Sequence, residues 1–199
     1  STDGDGDMAD DTSDLRVGSR DDGNQSFDGQ IDEFKIYNYS RTAQQILNDF
    51  VSLGTHHGAS VTLGSNELNT PSLSDDLVGY WKFDDSDGET TDISGFGHTL
   101  TEVNGVAQVA GRFADAADLE RGSSELYYRA DSTALSITGS FTLSAWIRPE
   151  DTTAATQYDI MGKWDQANES YLFQRYGDEL RCFVDSGNDY VTTNSTNLV

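Results

Sequence analysis

Basic residues, cysteine and long apolar runs are the scarce features of this 199-residue sequence. Twelve Lys and Arg residues stand against 35 Asp and Glu, which gives a formal net charge of −23. A field of that sign repels phosphate backbones and anionic lipid, which argues against nucleic acid and membrane surfaces as partners. No apolar run approaches the roughly 20 residues of a membrane-spanning helix, so we expect no membrane insertion. The single cysteine, Cys182, permits no internal disulfide.

The acidic bias leaves two interpretations open. Most of the acids are Asp, and Lys occurs only as Lys35, Lys82 and Lys163. A dense carboxylate surface is typical of proteins from high-salt organisms, because salt screens its self-repulsion. The alternative is an acidic secreted protein that uses calcium.

Short segments rich in aromatic and β-branched residues, separated by Gly, Asp and Ser, indicate an all-β protein. The segment "FTLSAWIRP", residues 141–149, alternates cleanly between apolar and polar positions. Its predicted apolar face consists of Phe141, Leu143, Ala145 and Ile147. A short helix is predicted over residues 42–50, with Ser40 as its N-cap. We therefore predict an all-β, antiparallel jelly-roll β-sandwich with one short helix.

A connector rich in Gly, Ser, Thr and Asn occupies residues 54–76 and separates two segments of different character. It contains His56 and His57 without a Cys or a carboxylate at the spacing of a zinc finger, so we interpret them as solvated loop residues. The sequence also lacks an initiator Met, and we interpret it as a window on a longer precursor.

Two long patterns carry a family resemblance. The segments "LVGYWKFDDSDGETTDISGFGHTLT" and "SITGSFTLSAWIRPE" resemble the opening of a laminin G-like module of the concanavalin A-like superfamily. The segment "DLRVGSRDDGNQSFDGQIDEFKIYNYSRTAQQI" resembles the close of such a module, including its last strand and trailing helix. The resemblance implies a β-sandwich with recognition or structural roles outside the cell.

The closing pattern precedes the opening pattern, which is the reverse of the family order. We therefore expect residues 1–53 to form the C-terminal strands and helix of one module. Residues 54–76 would be a linker, and residues 77–199 the N-terminal part of a second module. A permuted unit is the alternative. We expect the strand at residues 29–38 to close a sheet that lies outside this chain.

Two acidic regions are candidate calcium sites, because Ca²⁺ takes six to eight oxygen ligands from carboxylates and carbonyls on turns. The resemblance implies a structural calcium that ties the first turn to the closing strand, with the candidate ligands Asp32, Asp84, Asp85 and Asp92. A weaker candidate is "DGDGDMADDTSD", in which Asp3, Asp5 and Asp7 alternate but Met8 stands where an EF-hand needs Gly. A solvated acidic turn is the alternative for both regions.

Catalytic pairs are not evident in the sequence. Asp32 and Glu33 are adjacent in a predicted strand and should point to opposite faces, so they could not act together on one glycosidic bond. We therefore predict that the chain is not an enzyme.

Exposed aromatic rings could instead bind a glycan or a protein surface. The candidate platform residues are Trp164, Tyr171, Tyr176 and Tyr190, with core packing as the alternative for each. Trp81 and Trp146 lie within strong strands, and we interpret both as structural.

The sequence thus favours a non-catalytic, extracellular structural or adhesive module, part of a larger surface protein, filament or virion appendage. Its partners would be neighbouring modules or subunits of the same assembly. The alternative is a calcium-dependent carbohydrate-binding module that recognises a glycan or a surface protein.

Overall fold

A computed structural model describes residues 12–20, 25–54, 76–85, 89–151, 156–164, 169–184 and 190–193. In chain order its strands are β1 (Leu15–Val17), β2 (Gly29–Tyr37), β3 (Leu77–Trp81), β4 (Glu89–Thr90), β5 (Leu100–Val103), β6 (Ala107–Ala110), β7 (Asp115–Leu119), β8 (Leu126–Arg129), β9 (Thr142–Pro149), β10 (Gln157–Trp164), β11 (Glu169–Tyr176), β12 (Glu179–Val184) and β13 (Tyr190–Thr193). Helix α1 spans Ala43–Gly54, and a 3-10 turn spans Arg121–Ser123.

The strands form two antiparallel sheets that pack face to face around one apolar core. The larger sheet has the order β13-β12-β11-β10-β1-β8-β5-β4. In the smaller sheet, β9 pairs with one edge of β2 along its whole length. On the other edge of β2, β7 pairs with the first half of the strand and β3 with the second half. Strand β6 lies on the far side of β7. The prediction of an all-β antiparallel sandwich with one helix is confirmed.

The N-terminal segment supplies a central strand to each sheet. Strand β1 lies between β8 and β10, with Leu15 opposite both Arg129 and Lys163. Strand β2 lies between β9 and β3, with Phe34 opposite Trp81. The expectation that this strand closes a sheet outside the chain is therefore wrong: it completes the sheet that begins at Leu77. The predicted linker lies almost entirely outside the described residues, and a repeat of the unit in a longer protein stays a prediction.

Buried aromatic side chains from both segments make the core. Phe34 and Trp81 stack with ring centroids 5.0 Å apart, and both are essentially inaccessible to solvent. The indole N–H of Trp81 donates to the carbonyl oxygen of His98 at 2.7 Å, so its polar atom is satisfied as well. Burying each such ring stabilises the fold by about 2–3 kcal/mol. The structural role predicted for Trp81 is confirmed.

A buried lysine anchors the start of β1. The ammonium group of Lys163 donates to the carbonyl oxygen of Ser13 and to the carboxylate of Asp131, each at 2.6 Å. Burial alone would raise the pKa of Asp131, but the hydrogen bond and the charge of Lys163 outweigh it and lower that pKa. The contact joins the N-terminal segment to the middle of the larger sheet.

Helix α1 lies on the outer face of the smaller sheet. Thr42 caps it: the hydroxyl of Thr42 accepts from the backbone N–H of Gln45, and the Gln45 side chain accepts from the backbone N–H of Thr42. The cap is therefore not Ser40, as the sequence suggested, because only Thr42 has a Gln three residues later. Within the described residues, no helix is long and apolar enough to cross a membrane.

Candidate functional site

The outer face of the smaller sheet carries three buried charged side chains from β2. Asp32, Glu33 and Lys35 are only 3–7% exposed. The hydroxyl of Tyr80 donates to Glu33, and the Lys35 ammonium lies 3.8 Å from the same carboxylate and 4.6 Å from the centre of the Tyr80 ring. Burial raises the pKa of Tyr80 and lowers that of Lys35. The Tyr80 hydroxyl, the Glu33 carboxylate and the Lys35 ammonium therefore form one network, to which Asp32 does not belong.

A β-bulge in β2 places Asp32 and Glu33 on this same outer face. The pairing of β2 with β9 shifts register between Asp32 and Lys35, and Glu33 has a positive φ of 55°. As a result Ile31 and Phe34 both point into the core, with two outward residues between them. The prediction that the two carboxylates point to opposite faces is wrong, because simple alternation fails at a bulge.

Asp32 is the least satisfied member of this face. Its Oδ2 accepts the backbone N–H of Phe113 at 2.9 Å, and a Cβ on Gly111 would lie only 2.8 Å from the same oxygen. Its Oδ1 is buried and has no hydrogen-bond partner among the described residues. Burial, and then the charges of Glu33 and Asp84, raise the pKa of Asp32 to about 6. The site therefore favours a proton or a cation beside Asp32.

Asp92 serves a different purpose, because it closes the turn that follows β4. Its carboxylate accepts three backbone N–H groups, from Tyr80 at 3.0 Å, Ser94 at 2.8 Å and His98 at 2.9 Å. Each bond to a charged acceptor stabilises the turn by about 1.5–3 kcal/mol. This carboxylate therefore holds the turn together through backbone hydrogen bonds.

The structure does not gather the predicted calcium ligands into one cluster. Asp84 and Asp85 each accept one backbone N–H, and the charge of Asp84 raises the pKa of Asp32. In the described part of the chain, no group of three or more His, Cys, Asp or Glu side chains could hold a metal ion. The weaker candidates Asp3, Asp5 and Asp7 lie outside the described residues. Calcium binding stays a prediction.

Trp146 joins the helix and the loop after β6 on this face. Its ring stacks on Phe50 of α1 at 5.3 Å, contacts Phe113 edge-on at 6.1 Å, and has the Arg112 guanidinium 5.0 Å from its centre. Trp146 is only half-buried. The interpretation of Trp146 from sequence as a purely structural residue overlooked this exposure. Alternation along β9 places the Trp146 ring on the outer face of the sheet.

Two hollows flank the Trp146 ring. One of about 210 Å³ lies between β9 and α1, beside Ile46 and Phe50. The other, of about 380 Å³, is bordered by Gln30, Asp32, Arg112, Trp146 and Arg148, and we name it the Trp146 groove. Sequence reasoning missed this groove, because its residues come from four separated strands and a loop. An aromatic ring beside charged and amide side chains is a chemistry that suits a polar ligand.

Tyr171 cannot be a ligand platform. The side chain is completely buried, and its hydroxyl donates to the carbonyl oxygen of Leu135 at 3.2 Å. The predicted binding role of Tyr171 is wrong, because its position on β11 points into the core.

The remaining predicted platform residues do not share one site. Trp164 contacts Phe183 edge-on at 6.1 Å, and the Arg181 guanidinium covers the Tyr176 ring at 3.9 Å. Trp164 and Tyr176 lie at opposite ends of the β10–β11 pair. The side chain of Tyr190 lies outside the described residues. A ligand role for either Trp164 or Tyr176 alone stays a prediction.

One flank of the sandwich is open. The core-facing side chains of β9 and of the residue before it are only partly buried, although they pack against the core: Phe141, Leu143, Ala145 and Ile147. The facing side chains of the larger sheet are partly buried in the same way: Phe173, Leu180 and Val184. The apolar face of α1 beside them is also exposed, with each side chain 52–57% accessible: Ile46, Leu47, Phe50 and Val51. We name this region the open flank.

Comparison with known proteins finds a similarity in the N-terminal segment. Residues 1–47 match the laminin G family described as the Concanavalin A-like lectin/glucanases superfamily. The match covers β1, β2 and the first turn of α1, which is the segment that resembled the close of such a module. No curated protein and no solved structure matches the chain.

Proposed function

We propose that this chain is a non-catalytic, extracellular β-sandwich module with a structural and adhesive role in a larger surface protein, filament or virion appendage. Laminin G-like modules are typically extracellular and non-catalytic. The open flank is the observation that supports this role, because a sandwich whose core side chains are only partly buried along one side is suited to being covered by a neighbour. Neighbouring modules or subunits of the same assembly are the proposed partners.

The dense negative charge fits the same role. A net charge of −23 keeps modules soluble and apart at low ionic strength. At molar salt the Debye length falls to about 3 Å, so contacts between modules become possible. A source organism that lives at high salt is part of this proposal.

Immunogold labelling tests the proposed location and role. Antibodies raised against the chain should label the outer surface of intact cells or particles, on filaments or appendages that negative staining makes visible. Permeabilised samples serve as the control. Labelling confined to permeabilised cells would refute an extracellular role.

A second function is favoured by the Trp146 groove. Its ring, with Gln30, Asp32 and Arg148 at its border, suits a carbohydrate, which is recognised by an aromatic surface and a few polar groups. In this function Ca²⁺ is proposed to bind beside Asp32 and Asp84, where Oδ1 of Asp32 has no partner in the described part of the chain.

A glycan array distinguishes the two functions. The chelator-stripped chain is applied with and without millimolar calcium, and the Arg148→Ala variant is compared with Arg16→Ala, which alters the larger sheet instead. Calcium-dependent binding that only Arg148→Ala weakens would favour recognition. Absence of any glycan signal would leave the structural role as the better account.

A further inference from the structure

A short polar motif lies in the bend between β2 and α1. Residues 38–40 read Asn-Tyr-Ser, which is the Asn-x-Ser pattern that accepts N-linked glycans in proteins outside the cell. The same type of pattern occurs at Asn24, Asn168 and Asn194, all of which lie outside the described residues. Asn38 is therefore the acceptor of this pattern whose surroundings the structure describes.

The fold fixes the middle of this motif and leaves both of its ends exposed. The backbone carbonyl of Tyr39 accepts the hydroxyl of Thr142 at 2.9 Å, and its phenol oxygen accepts the Gln45 amide at 3.2 Å. Asn38 and Ser40, on either side of it, are exposed. Neither of their side chains makes a hydrogen bond within the part of the chain that the structure describes. The two groups that the motif needs, an amide and a hydroxyl two residues later, are therefore accessible.

Asn38 also borders a hollow of about 300 Å³ between this bend, the loop before β5 and the loop before β9. That volume is at the lower limit of ligand pockets, so it suits one sugar ring and not a long chain. The lining includes groups that form hydrogen bonds with sugar hydroxyls, namely the side chains of Asp76, Thr133, Ser136 and Thr138.

An exposed aromatic ring borders the same hollow. Phe96 is 56% exposed, and it stacks on the His98 ring with centroids 6.0 Å apart and planes 11° from parallel. His98 is only 4% exposed, so it supports Phe96 with a fixed surface. A ring held in this way can contact the C–H face of a sugar, and that contact removes apolar area from water. An aromatic ring together with several hydroxyl groups is therefore a surface that suits a sugar.

We propose that Asn38 carries an N-linked glycan whose first sugar lies in this hollow and covers the Phe96 ring. An attached glycan is favoured over a free ligand, because the acceptor amide itself lies at the border of the hollow. An attached sugar has a high effective concentration there, so weak contacts are enough to hold it in place. The inference goes beyond the proposed structural role and rests on the extracellular location that this role includes.

The attachment is a group transfer without oxidation or reduction. The co-reactant is a sugar linked through its anomeric carbon to a lipid phosphate, and a transferase outside the cytoplasm is the catalyst. The amide nitrogen of Asn38 forms a bond to the anomeric carbon, and the bond from that carbon to the phosphate oxygen breaks. The amide loses one proton, and the lipid phosphate leaves with the bonding electron pair.

Peptide mapping by mass spectrometry, on the protein isolated from its native cells, tests the attachment. The peptide that contains Asn38 should be heavier by the mass of a glycan. Asn38→Gln and Ser40→Ala, expressed in the same cells, should lose that added mass completely, because each breaks the motif. Ser40→Thr is the matched control and should keep the glycan, because Thr satisfies the same motif. Since Thr42 caps α1, the Ser40 variants leave the cap intact.

Melting temperatures test the position of the first sugar. The parent chain should melt about 2–4 °C above Ser40→Ala, the shift that one ring contact or one hydrogen bond produces in a domain of this size. In the Phe96→Ala background the glycan should remain attached, but adding Ser40→Ala should no longer lower the melting temperature. Ile93→Ala is the matched control, because Ile93 is also an exposed apolar residue but does not line the hollow. In that background the full difference should remain.

An Asn38 peptide without added mass would overturn the inference. If immunogold labelling still places that protein on the outer surface of intact cells, the proposed function stands without the glycan. Labelling confined to permeabilised cells would refute the extracellular role itself. A glycosylated chain whose melting difference survives Phe96→Ala unchanged would refute the placement of the first sugar on the Phe96 ring.

Discussion

The buried carboxyl of Asp32 predicts that one part of the fold loses stability as the pH rises. In the folded chain its pKa is about 6, against an ordinary value of 3.8. A raised pKa means that the folded state holds this proton more tightly than the unfolded state. The contribution to stability is therefore complete below about pH 4 and is lost as the pH rises through about 6.

The size of this effect follows from the shift. Each pKa unit corresponds to 1.36 kcal/mol, so ionised Asp32 costs the folded state about 3 kcal/mol at neutral pH. Asp32→Asn cannot ionise, and its amide oxygen can still accept the N–H of Phe113. We expect the variant to equal the parent near pH 4 and to be more stable by up to about 3 kcal/mol at pH 7.

Urea unfolding at several pH values, with a chelator present to remove cations, measures the difference. Asp85→Asn is the matched control, because Asp85 also accepts one backbone N–H but is less buried. Its stability should follow the parent across the whole range. If the difference between parent and Asp32→Asn does not change with pH, burial of an ionising Asp32 is refuted.

Three further substitutions test other parts of the structure. Lys163→Met removes the hydrogen bonds to Ser13 and Asp131. It should lower the free energy of unfolding by about 3 kcal/mol in urea titrations. An unchanged value would contradict the anchoring role of Lys163. Asp92→Ala removes three hydrogen bonds and should lower the free energy of unfolding by about 3 kcal/mol or more. Hydrogen exchange at the backbone amide of Ser94 should become faster, because that amide loses its acceptor. Protection of Ser94 equal to that in the parent chain would contradict the role of Asp92 in closing the turn. Trp146→Ala should release α1 from the sheet and lower the helical signal in circular dichroism. A variant that loses stability but keeps the helical signal would show that α1 does not depend on its contact with Trp146.

The sequence predicts strand content and strand faces well, because side-chain alternation is a local property. Strand β9 shows this: Leu143, Ala145 and Ile147 face the core as their spacing predicts. Alternation says nothing about which strand lies alongside, however. The partner of β2 depends on contacts with residues far along the chain, and the family order of motifs led to the wrong partner.

The Trp146 groove could not be predicted for a related reason. Asp32 and Trp146 meet only because β2 and β9 pair in one register, and both carboxylates of β2 face outward only because of the bulge at Glu33. Neither Gly nor Asn marks that bulge in the sequence, so the usual signal for a positive φ is missing. The overall class could thus be read from local patterns, whereas the site depends on pairings between distant segments.

The central position of β1 has a consequence for synthesis on the ribosome. The carbonyl of Ser13, just before β1, is held by Lys163, 150 residues later. At 5–20 residues per second, the first strand waits roughly 7 to 30 seconds before its neighbour β10 exists. The larger sheet cannot close around β1 in that time, and its folding is governed by late, long-range pairing. The acidic charge of the emerging chain then has a second use, because it keeps unfinished sheets of neighbouring nascent chains from associating.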